Sequence, residues 1–131
     1  MRKILTFSIL MILGFSMIGC GKEEERMDVT YKTISMEEAV ELMEQENDYI
    51  ILDVRTVEEY ESGHIPGAIC VQNEEIGSES IPELPDKEKL IMVYCRSGNR
   101  SKQAAEKLAK IGYSNIVEFG GIRDWKGEIT K

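Results

Sequence analysis

The sequence predicts an α/β fold in which helices cover a largely parallel sheet. Three short and almost continuously apolar segments, residues 49–54, 68–72 and 90–94, have the character of strands that are buried on both faces. Stretches with helical apolar spacing and with turn signals separate these segments. Short buried strands that alternate with helices are typical of a layered α/β domain, and such sheets bind ligands beyond the carboxyl ends of their strands.

The first part of the domain begins with a capped helix. Ser35 and, three residues later, Glu38 have the spacing of a capping box, and a helical apolar face follows them. After the first long strand we expect a short helical turn over residues 57–62. The turn Ile65-Pro66-Gly67 then leads into the next strand.

The second part of the domain contains a long loop and then three further elements. Residues 73–89, which include two prolines, are expected to be mainly loop with at most one short helix. The elements that follow are, in order, a strand over residues 90–94, a helix over residues 101–110 that stops at Gly112, a strand over residues 115–119, a hinge at Gly120-Gly121 and a closing helical turn over residues 122–125. Residues 29–131 are therefore expected to form one domain with a modest core.

The start of the chain is predicted to be a signal peptide over residues 1–19. Arg2 and Lys3 precede a stretch of fifteen uncharged residues, 4–18. This length suits the apolar core of a signal peptide and is shorter than the roughly 18 residues expected of a membrane-spanning helix. An uncleaved N-terminal anchor is the alternative.

A lipid anchor is predicted at Cys20. The sequence Met17-Ile18-Gly19-Cys20 resembles the bacterial lipobox, in which the signal is cleaved before the cysteine and the cysteine is lipidated. Residues 20–28 would then be the lipidated cysteine and a charged tether. We expect a lipoprotein that is anchored to a bacterial membrane on its extracytoplasmic side, because a chain with more than one acyl group stays attached stably.

The acidic composition restricts the partners of the domain. The formal charge is −8, and it falls to −10 when Arg2 and Lys3 are removed with the signal peptide. Such a surface argues against nucleic acid and against anionic lipid as binding partners. On such an acidic chain, a local group of positively charged residues is a notable feature.

The cysteines point to one reactive thiol. If Cys20 is lipidated, only Cys70 and Cys95 remain, which is fewer than the disulfide framework of a small exported domain requires. Cys70 lies in an apolar run and is interpreted as a small buried hydrophobic residue. A Cys70–Cys95 disulfide is the less favoured alternative, so Cys95 is expected to be a free thiol with a function.

The segment Cys95-Arg96-Ser97-Gly98-Asn99-Arg100 joins a predicted strand to a predicted helix. The first amides of a helix have no partner within the helix, and the helix dipole adds positive potential there. Gly98 and Asn99 tolerate positive φ, so successive N–H groups can converge on one point. Arg96, Arg100 and Lys102 add positive charge. We therefore expect Cys95 to react as a thiolate nucleophile beside an anion site.

Four motifs in this order resemble the single-domain rhodanese family of sulfurtransferases, and they span nearly all of residues 29–131. The matching stretches are Leu52-Asp53-Val54-Arg55 with Glu58-Glu59-Tyr60, then Gly63-His64-Ile65-Pro66-Gly67-Ala68, then Tyr94-Cys95-Arg96-Ser97-Gly98-Asn99-Arg100-Ser101, and finally Gly120-Gly121-Ile122-Arg123-Asp124-Trp125. The resemblance implies a rhodanese-like three-layer domain with a five-stranded, largely parallel sheet.

The resemblance also implies a reaction. Cys95 would take a sulfane sulfur from a small anionic donor such as thiosulfate, become a persulfide, and pass the sulfur to a thiol or cyanide acceptor. The substrate-binding residues would be those whose amides or side chains surround the sulfur, namely Arg96, Ser97, Gly98, Asn99, Arg100 and Ser101. No cofactor is implied, and a single histidine with few thiols makes a metal site unexpected.

The remaining motif residues are expected to support the site. Asp53 and Arg55 would hold neighbouring loops through salt bridges, with Arg55 paired to Glu58 or Glu59. Lys102 would reinforce the positive charge of the loop. His64 is interpreted as an orienting hydrogen-bond donor, and Trp125 as an anchor of the C-terminal turn in the core.

Two other functions remain open from the sequence. Protein phosphatases that share the rhodanese architecture use a Cys…Arg loop with one residue more, and in this chain the position where that arginine would fall is Ser101. The shorter loop favours a smaller sulfur group over a phosphate. The second alternative is a non-turnover persulfide carrier or a redox-sensing module, which would use the same loop without steady-state catalysis.

Overall fold

Five parallel strands form the centre of the structure, a computed structural model that describes residues 30–131. The strands are β1 (Lys32–Thr33), β2 (Tyr49–Asp53), β3 (Ile69–Cys70), β4 (Leu90–Cys95) and β5 (Ile116–Gly121). Their order across the sheet is β1-β5-β4-β2-β3, and every pairing is parallel. The carboxyl ends of β2, β4 and β5 therefore meet at one edge of the sheet. The predicted α/β fold with a parallel sheet is confirmed.

The predicted signal peptide, Cys20 and the charged tether lie outside the described residues. The domain that the sequence places over residues 29–131 is described from residue 30 onward. Within residues 30–131, no helix is both long enough and apolar enough to cross a bilayer.

Three α-helices flank the sheet: α1 (Met36–Gln45), α2 (Val57–Ser62) and α3 (Asn99–Ile111). The capping box predicted for α1 is present, because the Ser35 side chain accepts the amide of Glu38 and the Glu38 side chain accepts the amide of Ser35. Thr56 and Glu59 form the same motif at α2. Each such cap stabilises a helix by about 1 kcal/mol.

Apolar side chains cover both faces of the sheet. On one face, Ala104 and Leu108 of α3 belong to the cluster that contains Val93 of β4. On the other face, Ala39 of α1 belongs to the cluster that contains Met92 of the same strand. Neighbouring residues of β4 point to opposite faces, and both are fully buried. The resulting three layers are those that the sequence predicts, and β4 lies at the centre of the core.

Two element boundaries differ from the sequence-based expectation. The helix expected from Ser101 begins at Asn99, because Gly98 adopts a left-handed conformation as its N-cap and lets the chain enter the helix at once. Gly120 and Gly121, expected to be a hinge, are the last residues of β5. They stay in the sheet because Gly121 pairs with Cys95 after a shift in the β4–β5 register.

Glu59 links α2 to the start of α3. Besides capping its own helix, its carboxylate accepts two hydrogen bonds from Arg100, at 2.8 Å from Nη1 and 3.2 Å from Nη2. The hydrogen bond from Arg100, aided by those from Thr56 and opposed by burial, lowers the pKa of Glu59 from 4.5 to about 2. The pair therefore holds the first turn of α3 against α2.

We predict that Glu59→Gln destabilises the protein by about 1 kcal/mol near neutral pH, because it removes a charged acceptor of the Arg100 guanidinium. A depressed pKa stabilises the folded state above the unfolded value of 4.5, and this contribution is lost as the pH falls toward about 2. Urea unfolding at about pH 6 and about pH 3 should thus give a smaller difference between variant and wild type at the lower pH. A difference that stays constant with pH would contradict this assignment.

Candidate active site

Cys95 is the last residue of β4 and lies at the carboxyl edge of the sheet, as the sequence predicts. The residue is only 1% exposed, and its sulfur forms the floor of the loop that follows. The amide of Gly98 donates a hydrogen bond to Sγ at 3.0 Å. Both Cys70 and Cys95 are free thiols, so the alternative of a disulfide between them is wrong.

The helix that follows the loop begins without a side-chain cap. α1 and α2 each have Ser or Thr at the N-cap and Glu three residues later, whereas α3 has Gly98 at the N-cap, no side-chain cap and no acid in its first turn. An uncapped helix forgoes about 1 kcal/mol of stabilisation. In return, the first amides of α3 remain available to an anion at the position of the sulfur.

The end of β5 supports the loop from one side. A β-carbon at Gly121 would overlap the carbonyl group of Arg96, so only glycine allows this approach of the two chains. The Arg96 carbonyl oxygen also accepts the amide of Arg123 at 3.2 Å. These two contacts fix the backbone directly after Cys95, and they give Gly121 a packing role that the sequence analysis did not assign.

The cations of the loop have different partners. Arg96 is exposed, and none of the ion pairs within residues 30–131 includes its side chain. Arg100 is half-buried and paired with Glu59, while Lys102 is half-exposed with its Nζ 3.4 Å from Oε2 of Glu118. Ser97 and Asn99 are exposed, and Gly98 and Ser101 are buried. All seven residues lie in the loop after Cys95 or in the first turn of α3, and their roles toward a substrate stay predictions.

Asp53 and Arg55 form a buried network behind the loop. The Asp53 carboxylate accepts the Arg55 guanidinium at 2.7 Å and the Tyr94 hydroxyl at 2.6 Å. Arg55 also donates to the carbonyl of Gly63, and the Tyr94 hydroxyl accepts the amide of Ile65. Breaking a buried pair of this kind costs about 3–5 kcal/mol. The expected partners of Arg55, Glu58 or Glu59, are thus wrong, because Asp53 lies on the same buried strand end.

Burial and the Asp53 carboxylate affect the ionisation of this network. Burial, followed by the hydrogen bond to Asp53, raises the pKa of Tyr94, so its hydroxyl stays a donor. Burial alone would lower the pKa of Arg55, but the hydrogen bond and the charge of Asp53 outweigh it and raise that pKa. The network is therefore a fixed support beside Cys95, since Tyr94 is the residue that precedes it.

His64 and Trp125 have the structural positions that the sequence suggests. The imidazole of His64 stacks on Tyr60 with 3.7 Å between ring centroids. Its Nδ1 lies 2.9 Å from the Tyr60 carbonyl oxygen, which only accepts, so Nδ1 is the donor. Trp125 packs against Phe119 with ring centroids 6.5 Å apart and belongs to the edge of the core.

Cys70 is half-buried rather than fully buried as expected. Burial, together with the nearby Asp53 carboxylate, raises the pKa of its thiol from 9.0 to about 11. This thiol therefore stays protonated at ordinary pH and is a poor nucleophile. It provides a natural internal control for the reactivity of Cys95.

Sequence reasoning missed Glu118 as a residue of the site. Its side chain is fully buried below the loop, and its Oε1 accepts the Ser101 hydroxyl at 2.6 Å and the Gly120 amide at 3.1 Å. The signal was present in the sequence, because Glu118 is the only charged residue in the predicted strand over residues 115–119. A charged side chain in a strand that is buried on both faces requires a hydrogen-bond or ion-pair partner.

The arrangement suits nucleophilic chemistry on a small anion. A buried thiol, a donor amide at its sulfur and an uncapped helix start lie within one six-residue loop. Within residues 30–131, no three His, Cys, Asp or Glu side chains are grouped so that they could hold a metal ion.

Comparisons with known proteins show the family of this chain. The family model of the rhodanese-like domain matches residues 35–128. Thiosulfate sulfurtransferase PspE of Escherichia coli K12 is 37% identical over 73 residues, which are 56% of this chain and 70% of that one. The putative sulfur carrier protein YrkF of Bacillus subtilis is 34% identical over 96 residues, which are 72% of this chain and 51% of that one.

A solved structure, a rhodanese with anions from Escherichia coli, is similar with a TM-score of 0.58 and 34% sequence identity, covering 63% of this chain and 98% of that chain. The predicted rhodanese-like fold is thus confirmed, and the similarity to thiosulfate sulfurtransferases supports sulfurtransferase activity. From its motifs, its parallel sheet and its match over residues 35–128, the chain belongs to the rhodanese-like domain family.

Proposed function

We propose that the chain is a sulfurtransferase that moves a sulfane sulfur from thiosulfate, or from a related small anionic donor, to a thiol or to cyanide. The observation that carries this proposal is the position of Cys95 Sγ, which accepts the Gly98 amide at the start of an uncapped helix. That position provides hydrogen-bond donors for a sulfur anion without any further charge being buried. The name of the E. coli relative, a thiosulfate sulfurtransferase, supports the choice of donor.

In the first half-reaction the Cys95 thiolate attacks the outer sulfur of thiosulfate. A new S–S bond forms, the S–S bond of thiosulfate breaks, and its electron pair leaves with sulfite. Cys95 then carries a persulfide with a single negative charge on its terminal sulfur. The amides from Arg96 to Ser101 are the donors that would stabilise that charge and the departing sulfite, and Arg96 is the exposed cation at the loop.

In the second half-reaction an acceptor attacks the terminal sulfur of the persulfide. With cyanide the products are thiocyanate and the Cys95 thiolate, and with a thiolate they are a new persulfide and the Cys95 thiolate. Both routes return the enzyme to its starting charge, so neither requires a cofactor or an outside oxidant. The loop amides are left ready for the next donor.

A persulfide carrier is the second candidate. It is favoured by the similarity to a putative sulfur carrier protein, of which this chain spans about half the length. A redox-sensing thiol would use the same loop, and reversible oxidation of Cys95 without any gain of sulfur from thiosulfate would support it. Continuous thiocyanate production from thiosulfate and cyanide supports the enzyme, whereas a single stoichiometric burst supports the carrier.

We predict that wild-type protein and Cys70→Ser gain the mass of one sulfur atom after incubation with thiosulfate, and that Cys95→Ser gains none. The reason is that, of the two cysteines within residues 30–131, only Cys95 has a donor amide at its sulfur, while the raised pKa of Cys70 keeps that thiol protonated. Intact-mass spectrometry before and after cyanide measures the gain and its removal. A sulfur gain that persists in Cys95→Ser, or is lost in Cys70→Ser, would refute the assignment.

We also propose that the domain is held at a bacterial membrane, outside the cytoplasm, by a lipid on Cys20. The support is the sequence Met17-Ile18-Gly19-Cys20 after an uncharged apolar stretch. A tethered domain would act on donors and acceptors in that compartment.

We expect the full-length wild-type chain, produced in bacteria, to fractionate with membranes, and its N-terminal peptide to begin at an acylated Cys20. Cys20→Ser should lack the acyl groups and keep residues 1–19, while Cys70→Ser should behave like wild type. Peptide mass mapping of the membrane and soluble fractions measures this. An unmodified Cys20 peptide in the wild type would rule the anchor out.

A further inference from the structure

A glutamate at position 118 lowers the stability of the fold, because its carboxylate is buried within a strand. It lies on β5 between Val117 and Phe119, and it is completely buried. Its Oε2 accepts no hydrogen bond from the described residues, although Lys102 Nζ lies 3.4 Å away. A buried carboxylate with one oxygen that accepts no hydrogen bond, and that faces only the ammonium group of a half-exposed lysine, costs stability that a valine or isoleucine on the same strand would not. The fold must therefore use this side chain for something other than packing.

The carboxylate of Glu118 holds the end of the Cys95 loop through Ser101. The Ser101 hydroxyl lies 2.6 Å from Glu118 Oε1 and 2.9 Å from the carbonyl oxygen of Gly98. The single hydroxyl proton lies between these two acceptors, so Ser101 donates a shared hydrogen bond to Glu118 Oε1 and to the Gly98 carbonyl oxygen. The glycine that donates to the Cys95 sulfur is thus in contact with a side chain that Glu118 fixes.

The same carboxylate holds the opposite side of the loop. Oε1 also accepts the amide of Gly120, and the Gly120 backbone faces Gly98 across a space the size of one methyl group, since a β-carbon on Gly98 would lie 3.6 Å from the Gly120 Cα. Gly98 therefore lies between two parts of the chain that are both hydrogen-bonded to Glu118. One of these parts is the first turn of α3, and the other is the end of β5.

We propose that Glu118 is a positioning residue for Cys95: through Ser101 and Gly120 it fixes Gly98, whose amide donates to the reactive sulfur. The inference rests on the proposed function, because it concerns the nucleophile of that reaction. Glu118 itself does not touch the sulfur or the donor. It acts by keeping the Gly98 N–H directed at Sγ when the loop carries a negative charge.

The test is a double-mutant cycle in the full-length chain with Ser101→Ala, Glu118→Leu and the double variant. Glu118→Gln is the conservative variant, because an amide oxygen can accept the same two hydrogen bonds. Glu106→Gln, which removes an exposed acid from the surface of α3, is the control for charge alone. The readouts are the rate of alkylation by iodoacetamide at the Cys95 peptide, the rate of sulfur gain from thiosulfate, and the midpoint of unfolding.

We expect Ser101→Ala and Glu118→Leu each to slow alkylation of Cys95 about tenfold. This is the effect of weakening the hydrogen bond from the Gly98 amide to the Cys95 thiolate. The double variant should be no slower than the slower single variant, because the two side chains act through one contact. Glu118→Gln should keep most of the wild-type rate, and Glu106→Gln all of it.

Additive effects of the two substitutions on the alkylation rate would overturn the proposal. A lower unfolding midpoint with an unchanged alkylation rate would also overturn it, because that result indicates a merely structural role. If Glu118→Leu does not fold, Ser101→Ala decides alone, and wild-type alkylation of that variant overturns the proposal. Alkylation needs no sulfur donor. A wild-type protein that is alkylated at Cys95 but gains no sulfur would therefore refute the proposed function separately, while the cycle still decides the role of Glu118.

Discussion

The unpaired amide groups at the start of α3 are the feature on which the rest of the site depends. Two helices of the same chain close their first turns with Ser or Thr and Glu, and α3 does not. The Gly98 amide donates instead to the sulfur of Cys95. The chain thus forgoes about 1 kcal/mol of helix stabilisation at the place where the proposed function requires an anion to bind.

Three acidic side chains hold this loop in place without touching the sulfur. Asp53 fixes Tyr94 from behind, Glu59 binds Arg100 from α2, and Glu118 binds Ser101 from below. Two of the loop cations, Arg100 and Lys102, have acidic partners. Part of the positive charge that the sequence suggests is therefore balanced within the protein, and the peptide dipoles at the start of α3 add to what remains.

The local features of the fold could be predicted from the sequence because neighbouring residues determine them. The capping box of Ser35 and Glu38, the buried strand before the loop and the positive φ of Gly98 are all of this kind. The partner of Arg55 was not predicted, because Asp53, Glu58 and Glu59 all lie close to it in sequence and only the buried strand end selects Asp53. The partner of Arg100 could not be predicted, because Glu59 lies 41 residues away and meets it only in the folded chain. Glu118 is visible as a charge in an apolar strand, but its contact with Ser101 arises only when β5 packs beneath α3.

The central claim is that the loop amides are the groups that hold the transferred sulfur, and the amide NMR spectrum of the full-length chain tests it most directly. Spectra are compared before thiosulfate, after thiosulfate and after cyanide. The account predicts that the largest changes occur at the amides from Ser97 to Ser101, with Gly98 among them, and that cyanide reverses them. If Cys95 carries the added sulfur while the signals of these amides stay unchanged and those of other amides shift, the loop amides do not hold the persulfide.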